Sequence, residues 1–399
     1  MSQDKGSLHG IKILDLSRFI AGPFCAMQLG DLGAEVVKVE RKDIGEDTRA
    51  IDPKIGGESL YVMMYNRNKR GLGIDFRHPE ALTILKDLVA QSDVLIENFR
   101  AGTLESMGLG LDILRELNPR LIVVRISGFG QSGPIASRPC FDVIAQAASG
   151  LMSMTGQSDG PPTMAGTFMV DFTTGLYATV GTLAALQARH VTGLGQVVDV
   201  SLMDSAVSFL MTAIPEYLLL GKEASRNGSR DRYTSPANNF HAKDGEWVHI
   251  SAGNDTIFPR FAKRAGLAHL LDDERFCSAL ARMSNIAATE NEVAKWASQH
   301  DAEKIVQMMD EAGVPCAKVA RISDVVNNPQ LHHRKQIVEL DVPSVGKVPM
   351  HGLTVGLSDT PGSIRRPPPK VGQHTDEVLA EWAGYSAEHI AGLREAGAI

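Results

Sequence analysis

The chain has 399 residues, 43% of them hydrophobic and 22% charged, the composition of a globular protein long enough for two separate cores. Forty Lys and Arg against 47 Asp and Glu leave a formal charge of -7, which excludes general nucleic-acid affinity, so any anionic ligand must be met by a local basic pocket. Cys25, Cys140, Cys277 and Cys316 stand far apart without a Cys-x-x-Cys pair, which argues against a zinc site or a disulfide framework and for thiols in a reducing compartment.

The first residues hold no apolar signal core, and no apolar run is long and charge-free enough to cross a bilayer. A cytoplasmic protein with neither membrane nor nucleic-acid partner is expected. Ile11–Leu16 reads as a buried strand; a loop, Ser17–Gly22, leads to Pro23 at a helix start, and Ala34–Glu40 is a second strand. The pattern repeats. Strands at Gly71–Phe76, Asp93–Glu97 and Leu121–Ser127 precede helices from Pro79, near Leu111 and over Val143–Ala148.

Such alternation predicts a Rossmann-like α/β domain with a mostly parallel sheet, whose ligand site lies at the carboxyl ends of the strands. The first strand-to-helix turn lacks G-x-G-x-x-G, so dinucleotide binding is disfavoured. Basic residues cluster near strand ends instead: Arg41 and Lys42; Arg67, Lys69 and Arg70; Arg77; Arg100. If the loops converge on one cleft, these cations suit a ligand with phosphates.

A glycine- and proline-rich stretch, Gly160–Gly166, runs into one acid, Asp171, and then an Ala/Leu-rich helical pattern. Asp171 is expected at that helix start, where the positive end of the helix dipole favours its ionised, nucleophilic form. The bland alternative is a simple N-cap. Gln196–Ser201 is another strand, followed by a helix over Leu202–Leu219. The large domain is placed at 1–220, completed by 331–399, with a linker at 221–240 and a smaller α+β domain at 241–330. Arg365–Pro369 reads as a stiff connector, and His374 as a helix start.

No Gly-x-Ser-x-Gly elbow marks a serine hydrolase, the adjacent His332 and His333 do not suit a shared metal, and Cys140 lacks a cationic activator, so it reads as a small buried hydrophobe. No metal is expected.

Several stretches together resemble the class III coenzyme A-transferases, a family typified by formyl-CoA transferase. They are Ala21-Gly22-Pro23, Leu32–Arg41, Asn66–Arg70, Glu97-Asn98-Phe99, Gly128–Gly130 through Arg138-Pro139, Gly160-Pro161-Pro162, Asp171, Thr192–Gln196 and Gly372–Asp376, in order along nearly the whole chain. The resemblance makes Asp171 the catalytic aspartate, which forms in turn a mixed anhydride with the acyl group and a β-aspartyl-CoA thioester. Coenzyme A is then a substrate, and no cofactor is permanently bound. CoA contacts carry over to Arg41, Ile74, Asp75, Phe76, Arg77, Asn98, Phe99, Arg100, Phe141 and Asp142. Backbone N–H groups around Gly128–Gly130 and Gly166 are candidates to meet a developing oxyanion.

The same fold serves α-methylacyl-CoA racemases, which carry Gly-His-Asp where this chain has Cys140-Phe141-Asp142. Phenylalanine cannot shuttle a proton, so transfer is preferred over racemisation, with a catalytically inactive CoA-binding protein as a third reading. Ile20 replaces the first-loop glutamine of formyl-CoA transferase, and Ala252-Gly253-Asn254-Asp255 stands near where its glycine run would be. A longer dicarboxylate such as succinate or glutarate is therefore expected as acceptor, its distal carboxylate meeting Arg18, Arg230 or Arg232. The resemblance further implies a homodimer of interlocked ring-shaped subunits.

Overall fold

The computed structural model describes residues 6–399. Six strands form the main sheet: β1 (Lys12–Asp15), β2 (Glu35–Arg41), β3 (Lys69–Ile74), β4 (Val94–Glu97), β5 (Ile122–Ser127) and β6 (Val197–Ser201). Their spatial order is β3-β2-β1-β4-β5-β6, and all five pairings are parallel, as the alternating pattern predicts. The order reverses between β1 and β4, where Ile13 pairs with Val36 on one side and Val94 on the other. Loops leaving these two strands must diverge to opposite sides, which opens a crevice at their carboxyl ends.

Strand residues alternate between two buried faces. Leu14, Val37, Leu72 and Leu95 pack on α2 (Ala81–Ala90) and α3 (Leu111–Leu117). Ile13, Val36, Val94, Ile96 and Val124 pack on α1 (Ala21–Asp31), α5 (Met169–Thr192) and α6 (Leu202–Val207). Between α3 and α5 the chain forms the short α4 (Asp142–Ala148). The first face is completed by α7 (Thr375–Ala383) and α8 (Ala387–Glu395), which add Val378, Leu379, Trp382, Ile390 and Leu393. Gly175 lets α5 touch α1: a Cβ there would lie 2.7 Å from the Ala21 carbonyl oxygen.

The chain divides into two compact units, residues 6–151, 165–214 and 330–399 in the first and 152–164 with 215–329 in the second. The second has its own antiparallel sheet of β7 (Ala237–His241), β8 (Trp247–Ser251) and β9 (Cys316–Lys318), with β8 in the middle. Helices including Ile286–Ala297 and Ala302–Ala312 pack Val293, Trp296, Ile305 and Met309 against it. In the first unit a hairpin, β10 (Ile337–Val342) with β11 (Gly346–His351), packs on Met63.

Three local expectations change. The helix expected over Leu202–Leu219 breaks at Met211, whose φ of 49° is left-handed. Residues 237–240 of the expected linker are strand, because Asn238, Asn239 and Phe240 pair with Ile250, His249 and Val248. The stretch 152–164 joins the smaller unit.

Candidate active site

A buried charged network shapes the β1–α1 turn. Asp15, the last residue of β1, accepts from Lys69 Nζ (2.8 Å) and from the Ser17 backbone N–H (2.9 Å). Lys38 Nζ donates to the Ser17 carbonyl (2.8 Å) and pairs with Glu46 at 3.2 Å, while the other Glu46 oxygen accepts from the Phe19 N–H (2.9 Å). Both lysines are fully buried, so each needs these partners to remain charged. So held, Phe19 adopts a φ of 64°, a left-handed conformation that costs a bulky residue about 1–3 kcal/mol and persists because the surroundings impose it.

Across the strand-order reversal, the turn after β4 answers the turn after β1. The Asn98 side chain accepts from the Arg18 N–H (2.7 Å) and donates to the Arg18 carbonyl (2.6 Å). Arg18 also lies over the Phe99 ring, 5.5 Å from its centroid.

Two adjoining cavities open at this edge. The larger, about 350 Å³, is lined by Arg18, Val39, Arg41, Phe76, Leu82 and Phe99 among others. The smaller, about 200 Å³, includes Arg18, Asn98, Phe99, Arg100, Arg138, Phe141 and Asp171 in its wall. Arg18 and Phe99 belong to both. At the rim, one Asp47 carboxylate bridges two cations, Oδ1 to Arg41 at 2.8 Å and Oδ2 to Arg18 at 3.2 Å.

Asp171 is the third residue of α5, not its cap; Phe168 holds the cap position without a side-chain bond. The capping oxygen comes from α4: Asp142 Oδ2 accepts from the N–H groups of Val170 (2.7 Å) and Asp171 (3.0 Å). The other Asp142 oxygen accepts from Gln146, whose own Oε1 accepts from the Ala165 N–H at 2.9 Å. The expectation of a carboxylate kept readily ionised by the helix dipole is thereby reversed. Burial, and then the Asp142 charge, push the Asp171 carboxyl up to about 7. Phe24 and Tyr65 meet Phe172, the next residue, at ring distances of 5.0 and 5.8 Å.

Of the residues carried over by resemblance, Arg41, Phe76, Asn98, Phe99, Arg100, Phe141 and Asp171 line one cavity or both. Ile74 is fully buried in the sheet core, and Asp142 is spent on the α5 terminus. Asp75 folds back to accept from the Arg77 N–H, and neither residue lines either cavity. Arg67, Lys69 and Arg70 are buried structural cations, paired with Asp31, Asp15 and Glu35 respectively.

The arginines expected to meet a distal carboxylate are engaged: Arg18 with Asp47, and Arg230 with Glu290 through bonds of 2.7 and 2.6 Å. Among the described residues, Arg232 reaches only the Ser225 carbonyl, at 3.5 Å. Gly130 donates its N–H to Ser127 Oγ at 2.9 Å, which removes it as an oxyanion donor.

Sequence reasoning passed over Arg138, Asp47 and Phe19. Arg138 stands three residues before Phe141, inside a stretch already singled out, and that proximity was the available signal. Nothing in the residue types announces that Asp47 folds onto two arginines or that Phe19 turns left-handed.

The family model described as "CoA-transferase family III" matches residues 8–375. The succinyl-CoA--L-malate CoA-transferase beta subunit of Chloroflexus aurantiacus is 38% identical over 97% of this chain and 96% of its own. Human succinyl-CoA:glutarate CoA-transferase is 38% identical over 98% of this chain and 90% of its own. A solved CAIB/BAIF family protein from Brucella suis, 33% identical, superposes with a TM-score of 0.84, covering 95% of this chain and all of that one. With a parallel sheet of this strand order, a carboxylate at its crevice and a match over nearly the whole length, the chain is an enzyme of CoA-transferase family III.

Proposed function

We propose that the enzyme moves coenzyme A from an acyl-CoA donor to a dicarboxylic acid, with Asp171 as the covalent relay. The observation that carries this is the position of Asp171: a mostly buried carboxylate that still reaches the wall of a cavity whose other residues include Asn98, Phe99 and Arg100. The adenosine end of CoA is assigned to the larger cavity, with Phe76, Leu82 and Phe99 against the base and Arg18 and Arg41 beside the phosphates. The thiol arm then runs past Arg18 and Phe99, the residues common to both cavities, toward Asp171.

An Asp171 oxygen attacks the thioester carbonyl and the CoA thiolate leaves, giving a mixed anhydride. The thiolate attacks the aspartyl carbonyl, which frees the donor acid as its carboxylate and leaves a β-aspartyl-CoA thioester. The acceptor carboxylate attacks that carbonyl, expels the thiolate and forms a second anhydride. Finally the thiolate takes the acyl group, and Asp171 is restored. Thioester energy is conserved throughout, so neither ATP nor metal is needed. Phe19 and Phe141, packed edge to face at 5.4 Å in the cavity wall, are suited to keep water from the anhydrides.

The names of the relatives, with malate or glutarate as acceptor, support a dicarboxylate. A cation for the distal carboxylate is present in Arg138, which lines the Asp171 cavity and has no side-chain hydrogen bond or ion pair among the described residues. Racemisation is not favoured, because Phe141 stands where a proton-shuttling histidine would be needed. We also take the enzyme to be a cytoplasmic homodimer: Leu176, Val180 and Val191 form an exposed apolar stripe along α5, 48%, 63% and 84% accessible.

The test is incubation of purified enzyme with succinyl-CoA or acetyl-CoA and a panel of mono- and dicarboxylic acids, followed by mass spectrometry of the CoA esters. New dicarboxylyl-CoA with wild type and none with Asp171→Asn, together with hydroxylamine modification of Asp171 after donor-only incubation, is the expected result. Near-normal turnover by Asp171→Asn would refute the role.

A further inference from the structure

We propose that Asp142 is a positioning residue that keeps the nucleophile basic: seated across the first free N–H groups of α5, its carboxylate fixes Asp171 and cancels the helix-end field. The inference rests on Asp171 being the nucleophile, as assigned above.

The geometry is one of replacement. An uncapped α5 would turn its unpaired N–H groups and partial positive charge toward Asp171, only two residues inside the helix. That field stabilises a carboxylate and so makes it a weaker base. In this chain Asp142 Oδ2 occupies the position, accepting from both Val170 and Asp171. Asp142 is 1% exposed, and Gln146 fixes its second oxygen while accepting from the Ala165 N–H, so the segment entering α5 is tied to the same group. A neutral Ser or Asn is also a favoured cap. A buried carboxylate where a hydroxyl would serve therefore points to the charge itself.

Among the described residues, no other neighbour supplies that charge. Cys140, which precedes α4, is pushed up to about 11, chiefly by burial and then by Asp171. Tyr65, on the helix Leu60–Tyr65, is pushed up to about 12, and Cys25 of α1 likewise, both mainly by burial. All three are neutral near pH 7. Asp199 of β6 and Asp204 of α6 are exposed to solvent. Arg125 of β5 is tied to Glu97 and Glu105, and Arg18, Arg100 and Arg138 in the cavity wall are cations that act in the opposite sense. Asp142 is the anion set against Asp171, and a more basic carboxylate is the better nucleophile toward a thioester.

The experiment titrates protein carrying 13C at the aspartate side-chain carboxyls, with Asp171 assigned from the signal that Asp171→Asn removes. In Asp142→Asn the Asp171 midpoint is expected to fall by roughly one unit or more, and the acidic limb of kcat/KM to move with it. A merely structural cap would lower the melting temperature without moving either. Asp142→Ser is the second variant, should the first fold poorly. An Asp171 midpoint in wild type at the ordinary aspartate value, or one that stays put in a folded variant, overturns the proposal. The titration needs no substrate, so a midpoint that moves in Asp142→Asn of an enzyme that transfers CoA to no acid would sink the function assigned above, and with it the catalytic meaning of this inference, and leave only the coupling of Asp142 to Asp171.

Discussion

Asn98 holds Arg18 by its own peptide, accepting from the N–H at 2.7 Å and donating to the carbonyl at 2.6 Å, so one side chain closes the gap between the two loops of the crevice. Replacing it with alanine leaves both peptide groups without a protein partner. Both bonds are exposed, so water can replace the lost partner, and Asn98→Ala is expected to lose about 0.5–1.5 kcal/mol of stability in urea denaturation and to raise KM for acyl-CoA several-fold, with kcat less affected.

The raised carboxyl of Asp171 sets the pH response. Transfer needs the ionised form, so kcat/KM is expected to climb about tenfold per unit below an apparent pKa near 7 and then level off. Stability runs the other way. The folded state holds the Asp171 proton through a window in which the unfolded chain has released it, so this group's contribution falls as pH rises from about 4 to about 7. Asp171→Asn should therefore stabilise the protein relative to wild type at about pH 8, with the advantage gone near pH 4. Melting curves at the two pH values check it.

The Asp47 carboxylate neutralises the two arginines assigned to the CoA phosphates. Both pairs are well exposed, so each contributes little, on the order of 0–1 kcal/mol. Asp47→Asn is expected to leave the melting temperature nearly unchanged, to tighten CoA binding a few-fold, and to steepen the weakening of binding by salt. Calorimetric titration with CoA at two ionic strengths measures this.

Arg138 is expected to discriminate acceptors by their second carboxylate. Arg138→Leu should raise KM for dicarboxylates about tenfold or more and leave monocarboxylate acceptors unchanged, which competition between the two in one reaction reads directly.

Phe19 combines an unfavourable φ with an aromatic contact to Phe141. Phe19→Gly relieves the first, about 1–3 kcal/mol, and loses the second, about 0.5–1.5 kcal/mol, so the two largely offset and stability should change by no more than about 2 kcal/mol. Water then gains access to the anhydrides, and release of free CoA from donor without acceptor is expected to rise. A thiol assay reports it.

Much of this could be read from residues alone. The alternation of Ile13 with Leu14, Val36 with Val37 and Leu95 with Ile96 announces strands buried on both faces, and turn glycines with Pro23 mark the helices between them. A mostly parallel sheet and the carboxyl edge as the site follow from that alternation, whereas the order of the strands is set by tertiary pairing. Charged side chains were less legible. Arg67, Lys69 and Arg70 have the same composition as a phosphate pocket, and only tertiary contact with Asp31, Asp15 and Glu35 shows them to be internal ties. The same limit applies to Asp142, since a cap supplied from 29 residues away carries none of the local spacing by which caps are recognised.

The β3 strand is covered by residues that the ribosome adds long after the strand itself: the Gly71 N–H donates to His374, 303 positions onward, and α7 and α8 supply the apolar lid over that part of the sheet. Until then a growing chain carries a finished strand pattern with a greasy, unprotected flank. Contacts of such sequence separation slow folding and lengthen the period in which nascent chains can stick to one another. Holdase chaperones, and the tempo of translation through the smaller unit, should therefore govern how much active enzyme a cell obtains.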